Sequence, residues 1–201
     1  MAFTYFFRDL QTMEVIVDNL LPAVSGQRNI RIWDAGCASG QEPYTMAILL
    51  AEKMNQYAFR NVKITATDID ISNQFKKIIL EGVYPHDQLK RIPERIFKKY
   101  FKKIEEKKYQ ISLNIRDRIE YRRENLLDLK SPGDGFSLIL CKNVLLHQSY
   151  DQRVEIIKMF HKSLNLGGFM AMEQTQKLPE ECSDIFEAVA SNAQIFKKKG
   201  G

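Results

Sequence analysis

The sequence has few of the residues that mark secreted and membrane proteins. Its three cysteines, an odd number, include no Cys-x-x-Cys spacing, so neither a disulfide framework nor a zinc site of that type is indicated and we expect reduced thiols. No apolar run approaches the ~20 residues that a transmembrane helix needs. The N-terminus lacks the basic and then apolar pattern of a secretory signal. These absences favour the cytoplasm and argue against a membrane span.

Histidine is also scarce. The three histidines, His86, His147 and His161, show no metal-ligand spacing, so we expect no metal ion. The chain also lacks an Asn/Asp-Pro-Pro-Tyr motif, and the aromatic residues among its basic residues can belong to the core. Nucleic acid is therefore not the expected partner.

What the chain does contain is the composition of one globular domain. Of its 201 residues, 44% are hydrophobic and 27% are charged, which is enough to bury a core without disulfides. The net charge of +5 is uneven, because residues 88–123 contain 13 Lys or Arg against five Asp or Glu. This basic segment either steers an acidic substrate or forms a solvated helix face with a charged hairpin.

Predicted strands and helices alternate along the chain, an order that indicates a parallel sheet covered on both faces. The predicted strands are 30–35, 62–67, 136–141, 169–172 and 193–196. The predicted helices are 43–55, 71–81, 85–103 with a break near Pro93, and 151–164. Alternation over 109–113 and 118–122 predicts edge strands or a β-hairpin insertion at about 105–123.

The most informative segment is Ile-Trp-Asp-Ala-Gly-Cys-Ala-Ser-Gly-Gln-Glu-Pro-Tyr, residues 32–44. Gly36 and Gly40 allow the backbone to pass close to a ligand. Asp34 lies at the carboxyl end of the strand, where open α/β sheets bind ligands. The glycine spacing is neither Gly-x-Gly-x-x-Gly nor that of a P-loop, so a ligand without phosphate fits best.

An acidic residue also ends the second predicted strand, within Ala-Thr-Asp-Ile-Asp at residues 66–70. A carboxylate at this position can accept hydrogen bonds from both hydroxyls of a ribose, so Asp68 is the candidate ribose ligand. The alternative is that Asp68 caps the next helix, a role that Asp70 or Ser72 can also fill.

These segments resemble the chemotaxis protein methyltransferases over nearly the whole chain. The matching motifs are Thr-Tyr-Phe-Phe-Arg-Asp (4–9), Arg-Ile-Trp-Asp-Ala-Gly-Cys-Ala-Ser-Gly-Gln-Glu-Pro-Tyr-Thr (31–45), Ala-Thr-Asp-Ile-Asp (66–70), Glu-Gly-Val-Tyr (81–84), Glu-Asn-Leu-Leu-Asp (124–128), Cys-Lys-Asn-Val-Leu-Leu-His (141–147) and Leu-Asn-Leu-Gly-Gly-Phe (164–169). The resemblance implies one methyltransferase domain over residues 1–201, without the family's N-terminal helical domain. Its fold would be a Rossmann-like sheet that binds S-adenosylmethionine and leaves S-adenosylhomocysteine as product.

The resemblance also implies roles for single residues. Thr4 and Arg8 match cofactor contacts of the family's opening motif. Glu42 matches an acidic residue that holds the amino acid end of the cofactor, and Asp68 matches the acidic residue that holds its ribose.

Other matches lie later in the chain. Asn125 and Leu126 match a pair that lies beside the adenine. Lys142 and Asn143 occupy the positions of the family's Arg-Asn pair. The implied acceptor is a glutamate of an acidic protein or peptide, such as the cytoplasmic part of a chemoreceptor.

Methylation of a glutamate needs no general base, because a carboxyl with a pKa near ~4.3 is already ionised at neutral pH. Alignment of the reactants and removal of water then suffice. An arginine can orient the carboxylate with two parallel hydrogen bonds, and Arg8 and Arg31 are the candidates. His147 stands where the family has a tyrosine near the methyl group, so it either shapes the acceptor pocket or is an ordinary loop histidine.

Some positions depart from the family pattern. Ala2 replaces an asparagine that contacts the cofactor, Lys142 replaces an arginine, and Gln41 replaces a common glutamate. Residues 172–178 replace a Gly-His-Ser-Glu-Ser-Leu pattern. Two alternatives therefore stay open: a cofactor-binding interaction module with weak activity, and a methyltransferase with another acceptor.

Overall fold

A computed structural model describes residues 4–200 of the chain. In chain order the elements are α1 (Leu10–Ala23), β1 (Ile30–Ala35), α2 (Gln41–Lys53), α3 (Gln56–Phe59), β2 (Val62–Asp68), α4 (Phe75–Glu81), β3 (Val83–Pro85), α5 (Glu94–Tyr100), β4 (Phe101–Glu105), β5 (Lys108–Ile111), α6 (Leu113–Arg116), β6 (Ile119–Arg123), β7 (Phe136–Cys141), α7 (Tyr150–Ser163), β8 (Leu164–Met172), β9 (Phe186–Ala188) and β10 (Ile195–Lys198).

The main sheet has seven strands in the order β6-β2-β1-β7-β8-β10-β9. The strands from β6 to β8 are parallel, and β10 runs antiparallel to β8 and β9. The predicted mostly parallel sheet is confirmed. Its parallel strands all place their carboxyl ends at one edge, which is where such sheets bind ligands.

Helices cover both faces of this sheet, as predicted. Successive side chains of a strand point to opposite faces. Ile32 accordingly packs in the cluster that contains the buried faces of α1 and α2. The adjacent Trp33 packs in a second cluster with Phe160 of α7. Burial on both faces explains why β7 is apolar except for Ser137 and why β1 is apolar except for Arg31 and Asp34.

Several boundaries differ from the predictions. Helix α4 begins at Phe75 rather than at residue 71, because residues 71–74 form a turn around the Asp70 carboxylate. It ends at Gly82, whose φ is 60°, as predicted. Helix α1 was not predicted.

The predicted hairpin insertion at 105–123 needs correction, whereas the alternative of an edge strand is confirmed for residues 119–123. A separate three-stranded sheet, in the order β3-β5-β4, contains the hairpin of β4 and β5 over residues 101–111. The segment Ile119–Arg123 instead forms β6, the edge strand of the main sheet, parallel to β2. Because an edge strand is only half buried, its sequence alternates like that of a hairpin strand. The helix predicted to reach residue 103 ends at Tyr100, and β4 begins at Phe101.

Within the described residues 4–200, no helix is long and apolar enough to cross a membrane. The same part of the chain contains no group of three His, Cys, Asp or Glu side chains that could hold a metal ion. Cys37, Cys141 and Cys182 are buried and unpaired.

Candidate functional site

A cavity of about 490 Å³ lies at the carboxyl edge of the parallel strands. Residues from the loops after β1, β2 and β7 line it, together with the segment that precedes α1. The described residues that line it are Thr4, Arg8, Gly36, Cys37, Ala38, Glu42, Asp68, Ile69, Lys142, Asn143, Val144, Leu146, His147 and Gln148.

A smaller cavity of about 200 Å³ adjoins the first, and the two share Gly36, Asp68, Ile69, Val144 and Gln148. Its wall also contains Asn125 and Leu126. The Oδ1 of Asn125 accepts a hydrogen bond from the backbone N–H of Leu127 at 3.1 Å, which fixes the loop after β6. The two cavities thus bring together most of the residues that the sequence predicted as cofactor contacts.

The glycines of the loop after β1 are required by packing. Gly36 has a φ of 102°, and a Cβ there would lie 2.2 Å from Cγ2 of Val144. Gly40 has a φ of 95°, and a Cβ there would lie 2.6 Å from Cγ1 of Ile79. Gly36 lines both cavities, whereas Gly40 contacts the core behind the loop rather than a cavity.

The carboxylate of Asp68 is fixed by backbone amides from two loops. Its Oδ2 accepts from the N–H of Ala38 at 3.0 Å, and its Oδ1 accepts from the N–H of Asp70 at 2.9 Å. Each oxygen keeps acceptor capacity for a further donor. Asp68 faces both cavities, at the point where they meet.

Asp70 takes the capping role that was the alternative for Asp68. Its carboxylate accepts hydrogen bonds from the N–H groups of Gln74 and Phe75 and from the Tyr121 hydroxyl. Burial raises the pKa of Asp70, but these hydrogen bonds outweigh burial and lower the pKa below its usual value. The helix entry is therefore held without Asp68.

Glu42 and Lys142 form the inner end of the larger cavity. The Nζ of Lys142 lies 3.9 Å from Oε2 of Glu42, and the Lys142 side chain is only 1% exposed. Burial raises the pKa of Glu42 to about 7, although the positive charges of Lys142 and Arg8 limit the rise. Glu42 is thus poised to gain negative charge when a cation binds beside it.

The segment before α1 forms one wall of the larger cavity. The N–H of Phe7 donates to Oγ1 of Thr45 at 3.1 Å, which ties this segment to α2. The Nη2 of Arg8 donates to Oδ1 of Asn143 at 2.9 Å. Thr4, Arg8 and Asn143 therefore lie together, as the resemblance implied, although residues 4 and 143 are far apart in sequence.

His147 ends a short 3-10 helix after β7, Leu145–His147, and is exposed at the mouth of the larger cavity. It lines this cavity, and its predicted role in the acceptor pocket stays a proposal.

Arg31 is not brought to this site. It is the second residue of β1, at the strand's amino end, about 13 Å from Ala35 at a rise of ~3.3 Å per residue. Its Nη1 donates to the carbonyl oxygen of Asp134, and its guanidinium lies 4.8 Å from the ring centroid of Phe136. Arg31 therefore packs against Phe136 and Asp134, away from the cavity, and this position does not fit the predicted catalytic role.

Asp34 lies at the correct edge but behind the cavities. Its side chain is fully buried, and neither carboxylate oxygen has a hydrogen-bond partner among the described residues. Burial and the charge of Glu42 raise the pKa of Asp34 well above its usual value, so the group is stabilised in its neutral form. Asp34 is therefore not in a position to contact a ligand in either cavity.

Some lining residues were missed by the sequence analysis: Cys37, Ala38, Ile69, Val144, Leu146 and Gln148. All of them lie in or next to the motifs quoted above. Ala2, whose identity departs from the family pattern, lies outside the described residues.

The chain matches a family described as "CheR methyltransferase, SAM binding domain" over residues 2–195. It is 33% identical over 186 residues to the "Chemotaxis protein methyltransferase" of Borreliella burgdorferi, covering 87% of this chain and 64% of that protein. It is 32% identical over 200 residues to the protein of the same name from Vibrio parahaemolyticus, covering 97% of this chain and 71% of that protein. The chain thus spans about two thirds of these relatives.

A solved structure with the same fold is the "rRNA methyltransferase aviRa from Streptomyces viridochromogenes". The TM-score is 0.56 with 12% identity, over 98% of this chain and 85% of that one. Together with the site geometry, the family match confirms the predicted cofactor, S-adenosylmethionine, and the predicted enzyme class. The chain belongs to the CheR methyltransferase family and comprises its S-adenosylmethionine-binding methyltransferase domain.

Proposed function

We propose that this chain transfers a methyl group from S-adenosylmethionine to a glutamate side chain of a chemoreceptor-type signalling protein in the cytoplasm. The names of its relatives support the reaction, and its buried, unpaired cysteines support a reducing compartment. The observation that carries the proposal is the larger cavity. This cavity lies at the carboxyl end of a parallel sheet. Its lining includes the anchored carboxylate of Asp68, the buried side chains of Glu42 and Lys142, and Arg8.

The residues present fit the cofactor. Asp68 offers oxygens with remaining acceptor capacity to the hydroxyls of a ribose. Glu42 and Lys142 offer opposite charges to the ammonium and carboxylate of an amino acid. The smaller cavity, with Asn125 and Leu126, offers a partly apolar space for a purine ring.

The reaction needs no acid or base from the protein. The bound cofactor supplies an electrophilic methyl group on a sulfonium. This methyl group would pass to the acceptor oxygen, and sulfur would keep the electron pair of its bond to the methyl carbon. No proton moves, so the protein contributes alignment and exclusion of water.

We infer that Arg8 orients the acceptor. Its guanidinium lines the larger cavity and is held by Asn143. A guanidinium can bind a carboxylate through two parallel hydrogen bonds. In this proposal Arg8 binds the acceptor carboxylate, and His147 borders the entrance of the pocket.

The basic segment 88–123 supports an acidic acceptor. Some of its basic side chains form ion pairs within the protein, since Arg95 and Lys99 both pair with Glu52. Lys102 and Lys103 lie on β4 with exposed side chains. These exposed lysines can attract an acidic protein before it docks.

The test is methyl transfer from labelled S-adenosylmethionine to a chemoreceptor cytoplasmic fragment. A fragment with its methylatable glutamates changed to glutamine is the control. Base-labile label on the first fragment and not on the second would support the proposal. Tight binding of S-adenosylhomocysteine without transfer would favour the interaction module, and transfer to both fragments would indicate another acceptor group.

A further inference from the structure

The side chain of Asp9 lies at the start of α1 but does not cap it. An aspartate at this position ordinarily accepts a hydrogen bond from an amide of the first helical turn. Among the described residues, the Asp9 carboxylate makes no such bond, and its backbone is left-handed with a φ of 51°.

The Asp9 carboxylate instead holds Lys142. The Nζ of Lys142 donates to Oδ2 of Asp9 at 3.1 Å, while the nearest oxygen of Glu42 lies at 3.9 Å. A buried ammonium requires negative partners. Of the two acids, Asp9 makes the closer contact with the ammonium.

The neighbouring residues make a parallel contact. Arg8 donates to Asn143 at 2.9 Å, next to the bond between Asp9 and Lys142. Two consecutive residues before α1 are thus bonded to two consecutive residues after β7. Asp9 therefore sets the position of a charge at the inner end of the cavity.

We propose that Asp9 is a positioning residue for the amino acid end of the cofactor. It keeps the Lys142 ammonium from closing on Glu42, so that Lys142 is available to the cofactor carboxylate and Glu42 to the cofactor ammonium. This inference rests on the proposed function, because it assumes that the cavity binds S-adenosylmethionine. Without the charge of Asp9, Lys142 and Glu42 pair with each other and compete with the cofactor.

The experiment compares two ligands on one set of variants by isothermal titration. S-adenosylhomocysteine carries the amino acid group, and 5′-methylthioadenosine shares the adenosine but lacks that group. The variants are Asp9→Asn, Asp9→Glu, and Asp9→Ser, which can cap α1. Asp18→Asn is the matched control, because it removes the same charge from a lysine-paired aspartate elsewhere on α1.

We expect Asp9→Asn and Asp9→Ser to weaken S-adenosylhomocysteine binding about tenfold, and 5′-methylthioadenosine binding less than about twofold. Asp9→Glu and Asp18→Asn should stay within about threefold of the wild type for both ligands. An equal loss for both ligands in Asp9→Asn and Asp9→Ser, or no loss for either, would overturn the positioning role alone. A wild-type chain that binds neither ligand would overturn the proposed function and this inference with it.

Discussion

The carboxylate of Asp68 accepts a hydrogen bond from the backbone N–H of Ala38 at 3.0 Å. This contact joins the end of β2 to the loop after β1, so it fixes the two loops that form the floor of the cofactor site. The same carboxylate faces both cavities. One side chain thus combines a structural bond with the proposed recognition of ribose.

Replacing Asp68 by alanine should weaken S-adenosylhomocysteine binding by at least about tenfold, because two hydroxyl groups lose a charged acceptor worth about 1.5–3 kcal/mol. Isothermal titration measures this loss. Asp70→Ala is the comparison, since it removes a helix cap and should lower thermal stability more than Asp68→Ala does. Normal binding by Asp68→Ala would refute the ribose assignment.

Cofactor affinity should rise with pH across neutrality. Burial raises the pKa of Glu42 to about 7 in the free protein, and under the proposed function its ionised form binds the cofactor ammonium. About 10% of Glu42 is ionised at pH 6 and about 90% at pH 8, so the affinity should increase up to about tenfold over this range.

Titrations of S-adenosylhomocysteine at pH 6, 7 and 8 test this dependence. Glu42→Gln should bind more weakly at pH 8 and show a flat profile, because it has no proton to lose. An unchanged slope in Glu42→Gln would assign the titration to another group.

Arg31→Ala should leave cofactor affinity and methyl transfer within about twofold of the wild type, because Arg31 lies at the amino end of β1. It should lower stability by about 1 kcal/mol through the lost contacts with Phe136 and Asp134. Arg8→Ala, changed at the cavity, should lose most transfer activity. Loss of transfer in Arg31→Ala, with its fold intact by circular dichroism, would restore the catalytic role that the sequence suggested.

Glu52 should stabilise the contact between α2 and α5. Its carboxylate accepts from Arg95, from Lys99 at 2.7 Å and from the Tyr100 hydroxyl at 2.7 Å. Burial raises the pKa of Glu52, but these three hydrogen bonds outweigh burial and lower the pKa to about 2. The contribution is fully present above about pH 4.5 and is lost as pH falls towards 2.

Glu52→Gln should therefore cost about 1–2 kcal/mol at pH 7, after discounting the exposure of its lysine and arginine partners. The difference from wild type should shrink as the pH falls from about 4.5 to about 2. Urea unfolding at pH 7 and pH 3 measures both values. Asp18→Asn, which breaks an exposed ion pair with Lys53, should change stability by less than about 0.5 kcal/mol.

Local sequence determined the parts of this protein that depend on near neighbours. The mostly apolar strands β1 and β7 required burial on both faces, and the glycine loop with Asp68 predicted a ligand site at the sheet edge. The motifs also indicated the family and its cofactor. Each of these features is specified within a few residues of chain.

Tertiary structure decided the features that depend on which segments meet. Arg31 and Asp34 are close to the glycine loop in sequence, but strand direction places Arg31 at the far end and burial places Asp34 behind the cavity. The alternation of Ile119–Arg123 did not reveal whether its partner was a hairpin strand or β2. The bond from Asp9 to Lys142 joins residues 133 positions apart, so only the folded chain could show that this acid holds the lysine at the cofactor site.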